Sequence, residues 1–104
     1  IQKGDLLQYI GNNVVGKHSN TVNSQAIGFA ASSAPAHGVV SLQTEGIISG
    51  VLHNVNADEK IFWTTQGLSS NPDTAGGTRI RVVGVAANTT DLQLVPLQRA
   101  IING

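Results

Sequence analysis

Apolar and polar residues alternate along this chain in short runs that turn-forming residues separate. Alternation with a period of two, over about four to eight residues, is typical of half-buried β-strands. Nowhere do apolar residues recur at helical spacing for three turns, so we expect helix to be minor or absent. The predicted strands are Asp5–Ile10, Val14–Lys17, Ala26–Ala30, Gly38–Thr44, Gly46–Leu52, Lys60–Thr64, Arg79–Ala86 and Asp91–Leu97.

This pattern predicts an all-β fold in which about eight short strands form a small barrel or sandwich. At 104 residues the chain has the length of one domain, so we expect a single β domain over residues 1–104. The chain begins at Ile1 rather than at methionine, and we expect it to be a processed form or a piece of a longer protein.

The two halves of the sequence resemble each other. The separations from Asp5 to Glu59 and from Gly28 to Gly84 are 54 and 56 residues. A repeat of about 50 residues predicts the pseudo-repeats 1–52 and 53–104, although two β-rich halves can also look alike by chance. The matching segments are Asp5-Leu6-Leu7-Gln8-Tyr9 with Glu59-Lys60-Ile61-Phe62-Trp63, and Ala26-Ile27-Gly28-Phe29-Ala30-Ala31 with Val82-Val83-Gly84-Val85-Ala86-Ala87.

Glycine stands inside a predicted strand at matching places in both halves, at Gly28 and Gly84. A glycine within a strand usually marks a bulge or the close approach of another chain segment. We therefore predict that the sheet bends at Gly28 and Gly84.

The composition provides little large apolar surface for a core. Aromatic residues make up 4% of the chain and methionine is absent, so Val, Ile, Leu and Ala supply most of the apolar area. Burial contributes roughly 25 cal/mol per Å² of apolar surface. A domain with small apolar side chains therefore gains by burying more surface against copies of itself, and we expect a homo-oligomer.

Charge and cysteine content exclude several classes of protein. Six basic and six acidic residues are scattered along the chain and give a net charge of zero. This leaves no basic patch for nucleic acid or an anionic membrane, and no apolar run approaches the roughly 20 residues of a membrane span. The absence of cysteine excludes disulfides and thiolate metal sites.

No motif predicts a catalytic site, a cofactor site or a metal site. His18, His37 and His53 lack the close spacing of zinc-ligand pairs, and we expect each to be exposed or at an interface. A metal site with one histidine from each subunit of a trimer stays open. The carboxylates stand beside turn residues, where they cap the backbone, except Glu45 in a strand-like context. Asn88-Thr89-Thr90 matches an N-glycosylation sequon.

Phe62-Trp63 is the sequence feature best suited to binding a ligand. Adjacent strand residues point to opposite faces, so one ring faces the core and the other faces outward. An exposed Trp63 would serve as a carbohydrate platform or an intersubunit anchor, whereas a buried Trp63 would be the largest core residue. Tyr9 is its counterpart in the first half, and we expect both on the same face.

Several segments resemble bacteriophage virion-surface modules. Lys3-Gly4-Asp5-Leu6-Leu7 is similar to the start of the first strand in many phage fibre and head-surface modules. Two later segments resemble the same group, and another pair of segments resembles phage decoration (cement) proteins. The two later segments are Gly67-Leu68-Ser69-Ser70 to Pro72 with Gly76-Gly77-Thr78-Arg79-Ile80-Arg81-Val82-Val83-Gly84-Val85-Ala86, and Thr90-Asp91-Leu92-Gln93-Leu94. The pair that resembles decoration proteins is Ala26-Ile27-Gly28-Phe29-Ala30 with Val39-Val40-Ser41-Leu42.

The resemblance implies an all-β, usually trimeric component of the outer surface of a virion. It would be either a capsid decoration protein or a domain of a tail fibre or spike, in contact with other virion proteins. The resemblance implies no cofactor and no enzymatic activity, and it carries over no functional residues. The alternative function is a receptor- or glycan-binding tip domain that contacts a host surface glycan, with Trp63 and Tyr9 as candidate residues.

Overall fold

Ten β-strands and no helix make up the described part of the computed structural model, which comprises residues 1–20, 26–96 and the backbone of 101–102. The all-β prediction is confirmed. The strands are β1 (Leu6–Gly11), β2 (Val14–Lys17), β3 (Gly28–Ala30), β4 (Leu42–Gln43), β5 (Ile47–Ile48), β6 (Lys60–Thr64), β7 (Gly67–Ser69), β8 (Arg79–Ala86), β9 (Leu92–Leu94) and β10 (Ile101–Ile102).

The strands form two antiparallel sheets that share one core. Sheet I has the order β2-β1-β3-β4, and sheet II has the order β5-β9-β8-β6-β7 with β10 paired to β8. Leu6 and Phe29 from sheet I pack in the same buried cluster as Ile61, Trp63 and other residues of sheet II. Of the two architectures expected, the sandwich is the one observed.

The predicted strands differ from the observed ones mainly at the edges. β7 and β10 were not predicted, because runs of three and two residues give no recognisable alternation. The predicted strand Gly38–Thr44 shrinks to Leu42–Gln43, since Val39 is 95% exposed and pairs with no strand among the described residues. The end of the last predicted strand, Leu97, lies outside the described residues.

The two halves pair their strands in the same order. In each half a hairpin is followed by a strand that pairs with the first strand of the hairpin, and then by a fourth strand. The registers also correspond around both glycines, which gives the predicted pseudo-repeats a structural parallel. Leu7 faces Gly28 as Ile61 faces Gly84, and Phe29 faces Gln43 as Val85 faces Gln93.

Gly28 and Gly84 both lie where a neighbouring strand approaches closely. A Cβ at Gly84 would stand 2.8 Å from Leu92 Cδ1 and 3.0 Å from the Gln93 carbonyl carbon. A Cβ at Gly28 would stand 3.3 Å from Thr44 Cγ2, and Gly28 also has a φ of +153°. A register shift between β6 and β8 lies beside Gly84. These contacts explain the glycines, whereas a sheet bend at the two positions stays a prediction.

A buried polar cluster joins the segment after β2 to sheet II. Asn20 is fully buried, and its Nδ2 donates to Asp73 Oδ2 (2.7 Å) and to the Arg79 carbonyl (2.8 Å). Its backbone N–H donates to His18 Nδ1 (2.8 Å), and the Trp63 indole N–H donates to the His18 carbonyl (3.1 Å). Hydrogen bonds of this kind are costly to lose when the groups stay buried.

We expect Gly84→Ala to lower the free energy of unfolding by about 3 kcal/mol, because the added methyl group would overlap β9. Urea denaturation measures the change. Gly11→Ala is the matched control, since its Cβ would meet Val14 Cβ at an ordinary 3.7 Å and should change stability by less than about 1 kcal/mol. Equal effects of the two substitutions would contradict the close-approach explanation.

We expect Asn20→Gly to lower the free energy of unfolding by about 2 kcal/mol, because glycine tolerates the φ of +59° but removes the hydrogen bonds to Asp73 and Arg79. Asn13→Gly provides the control, since Asn13 has a similar φ of +56° but is exposed. That control should stay within about 0.5 kcal/mol of the parent protein. Thermal denaturation of both variants tests the expectation, which fails if their midpoints agree.

Candidate functional site

A mainly apolar groove of about 680 Å³ lies between the β1–β2 hairpin and residues 35–42. Tyr9, Val14, Val39 and Leu42 line it, and they are 62%, 51%, 95% and 46% exposed. Among the described residues no Lys, Arg, Asp or Glu lines this groove, and its titratable side chains are those of Tyr9 and His37. Contiguous exposed apolar surface of this kind marks interaction sites in soluble proteins.

The end of the β1–β2 hairpin is poorly covered by the rest of the chain. Tyr9 lies opposite Val15, and Ile10 beside it is 64% exposed at a shift in the pairing register. β1 is buried at Leu6 and Leu7 and exposed from Tyr9 onward. A two-stranded ribbon has little stability of its own in water, so this end of the hairpin would gain from contact with another surface.

Trp63 lies in the core, which is one of the two alternatives predicted for it from the sequence. It is 1% exposed and is the largest fully buried side chain. The Lys17 Nζ lies 5.8 Å from the centroid of its ring, within cation–π distance. The hypothesis of an exposed Trp63 that binds a carbohydrate or anchors a subunit is therefore wrong. Tyr9 does not share its environment, since Tyr9 lies on the uncovered part of the hairpin.

The three histidines lie in different environments. His18 is 2% exposed, so the expectation of an exposed or interface position is wrong for it; its backbone and Nδ1 hold Trp63 and Asn20 in place. His37 lines the apolar groove and has a φ of +63°, and His53 is exposed. No group of three or more potential metal ligands occurs within the described residues.

Most of the carboxylates cap turns. Asp5 Oδ2 accepts from the Gln2 backbone N–H, and Glu59 Oε1 accepts from that of Asn56. Asp73 Oδ2 accepts from the backbone N–H of Thr65 as well as from Asn20. Glu45, expected in a strand, lies in the exposed bend between β4 and β5. These positions fit local backbone roles rather than a shared pocket.

The turn between β8 and β9 is held by Asp91. Its Oδ2 accepts from Asn88 Nδ2 (3.0 Å), and its Oδ1 accepts from the Gly50 backbone N–H (2.9 Å) and the Thr90 hydroxyl (3.0 Å). These hydrogen bonds, that of Asn88 most strongly, lower the pKa of the Asp91 carboxyl, and the charge of Lys3 adds to the effect. The amide of Asn88, the sequon residue, is thus engaged in the turn.

Arg81 brings a positive charge into the interior of sheet II. It is 6% exposed, and burial, followed by the charge of Arg79, lowers the pKa of its guanidinium. Arginine nevertheless stays protonated at physiological pH. Arg81 lies opposite Trp63 in the pairing of β6 with β8, within the longest strand of sheet II.

A second, polar cleft of about 470 Å³ lies beside the amino-terminal turn. The sequence did not point to it, because its lining comes from distant positions; the glycines that border it were the available signal. The principal side chains of this cleft are Lys3, Asp5, Lys17, His53 and Gln66, over a floor of Trp63, Val51 and Leu68.

No helix within the described residues has the length and hydropathy needed to cross a membrane.

We expect Asp91→Asn to destabilise the protein at neutral pH. Because the folded state lowers the pKa of this carboxyl, its stabilisation is present above the unfolded pKa of about 3.9 and is lost as the pH falls through the folded value. The stability difference between parent and variant should therefore shrink below about pH 4. Urea denaturation at neutral and acidic pH measures it, and a constant difference would show that charge plays no part.

Comparisons with protein-family models, with curated proteins and with solved structures find no match to this chain.

Proposed function

We propose that this chain is a structural component of a bacteriophage particle. It would act as a trimeric fibre or spike module or as a capsid decoration (cement) module on the outer surface of the virion, where it stabilises the assembly through contacts between β-sheet subunits. The proposal includes no catalytic step, cofactor or metal. It combines the resemblance of the sequence to such modules with the mainly apolar groove beside the β1–β2 hairpin.

The groove is the observation that carries the proposal. Val39 projects almost entirely into solvent, and Tyr9 and Val14 stand across the groove from it on the hairpin. Burying a side chain such as Val contributes about 1.5–3 kcal/mol relative to leaving it exposed. Three such side chains at each contact would supply a substantial part of the energy of subunit association.

The partner that best fits the groove is a second copy of this chain. Because no Lys, Arg, Asp or Glu among the described residues lines the groove, it offers no charged side chain to select a charged partner. A closed ring of copies buries the same surface on every subunit and leaves no apolar surface open to further growth. The sheet edge at β2, beside the groove, would be sheltered in the same contact.

Contacts with other virion proteins would use the remaining surface, as the resemblance implies. The alternative function, a tip domain that binds a host surface glycan, loses the exposed tryptophan on which it depended, because Trp63 is buried. Tyr9 keeps its candidate role, now as part of the proposed subunit interface. The structural function is therefore the one that the geometry supports best.

We expect the chain to sediment as a trimer, and we expect Val39→Asp to weaken association at least about tenfold, since about 1.4 kcal/mol of lost burial corresponds to that factor. Val39 is so exposed that the substitution should leave the fold intact. Sedimentation equilibrium over a range of concentrations measures both.

Ile47→Asp is the matched control, because Ile47 is an exposed apolar residue, 52% exposed on β5, that does not line the groove. It should keep the oligomeric state of the parent protein. A parent chain that sediments as a monomer at all concentrations would overturn the proposed self-association. If Ile47→Asp dissociated the trimer and Val39→Asp did not, the subunit interface would lie outside the groove.

A further inference from the structure

The polar cleft beside the amino-terminal turn has the size and openness of a ligand site. Its volume of about 470 Å³ falls within the range of about 300–1,000 Å³ that is usual for small-molecule pockets. The amino-terminal turn, residues 50–53 and the turn between β6 and β7 surround it, together with Lys17 at the end of β2 and Ser33. The cleft shares no lining residue with the apolar groove proposed above as the subunit contact.

Two lysines and one aspartate line this cleft, so Lys and Asp side chains give it an excess of positive charge. Lys3 Nζ donates to Ser49 Oγ (3.1 Å), and Lys17 Nζ lies 3.9 Å from Asp5 Oδ1. Each ammonium group has three donors, so both lysines retain donors for a ligand. The Asp5 carboxylate is already engaged by Lys17 and by the Gln2 backbone N–H.

The nearby acidic group on the other side is also engaged. Asp91 is close enough for the charge of Lys3 to contribute to its lowered pKa, but it does not line the cleft. Its two oxygens accept hydrogen bonds from Gly50, Thr90 and Asn88. The cleft therefore favours a ligand that is rich in acceptors, such as one with a carboxylate or phosphate group.

The floor of the cleft favours a small ring over a bare ion. Gly50 and Gly67 have φ values of +73° and +101°, and no heavy atom beyond their chain neighbours stands within 4 Å of where a Cβ would be at either position. Two half-buried apolar side chains, Val51 and Leu68, lie beside them. Apolar surface bordered by side-chain amides, as at Gln66, suits the C–H faces and hydroxyl groups of a sugar.

From these observations we propose that the cleft binds an acidic sugar, with Lys3 and Lys17 holding its carboxylate or phosphate group and the floor at Val51 and Leu68 supporting its ring. This site is independent of the apolar groove. It also does not use the face of the Trp63 ring, over which Lys17 lies.

The test is a titration of the full chain, followed by the amide shifts in ¹⁵N–¹H NMR spectra. The probes are N-acetylneuraminic acid and glucose 6-phosphate, which carry the two kinds of acidic group, with glucose and inorganic phosphate as comparison ligands. We expect saturable shifts at the amides of Gly4, Gly50 and Gly67 with at least one acidic sugar, and weaker binding of glucose and of inorganic phosphate.

Lys3→Gln and Lys17→Gln should each weaken binding of that sugar roughly fivefold, which corresponds to the ~1 kcal/mol of a charge pair at about 4 Å in water. Lys60→Gln is the control, because Lys60 is exposed at the start of β6 and does not line the cleft. It should bind like the parent protein.

Absence of saturable shifts with both acidic sugars would overturn the proposal. So would inorganic phosphate binding as tightly as glucose 6-phosphate, since the floor would then contribute nothing, or equal weakening by Lys60→Gln. Sedimentation of the same samples keeps the two proposals separable, because a cleft that fails to bind leaves the trimer unaffected and a monomeric chain can still bind the sugar.

Discussion

The contact that the indole of Trp63 makes between the two sheets is the constraint on which the rest of the structure depends. Aromatic residues are scarce in this chain, and Trp63 is the largest side chain that is fully buried. Its ring packs in the core shared by both sheets, and its N–H finds an acceptor in the carbonyl of His18 just after β2. A buried indole needs such an acceptor, so the position of the segment after β2 is fixed by the same residue that fills the core.

Much of the fold could be predicted from the sequence, because its longest strands alternate clearly. β1, β2, β6 and β8 were expected within a residue or two of their observed bounds. β7 was missed because three residues beginning with glycine show no period. The length of β4 was overestimated because the pattern of apolar residues indicates that a segment suits a β-sheet, and it does not indicate whether a neighbouring strand is present.

That error is informative about the candidate site. Val39 lies in a predicted strand, yet it stands in solvent at the edge of the groove. Local patterns tend to disagree with the fold at functional positions, and here the disagreement coincides with the proposed subunit interface. The polar cleft could not be predicted in this way, because Lys3, Lys17 and His53 come together only when both sheets have formed. The order of charged residues along the chain does not indicate that these three side chains cluster.

The pairing of β5 has a consequence for how this protein unfolds. β5 belongs to the first half of the sequence but pairs with β9 in sheet II. The boundary between the two similar halves is therefore not a boundary between independently stable units, since separating them would remove an edge strand from the sheet of the other half. We therefore expect the protein to unfold in one cooperative transition rather than in two successive ones, both on heating and under mechanical tension between its termini. In the proposed role on a virion surface, that topology favours abrupt unfolding at high load over gradual fraying.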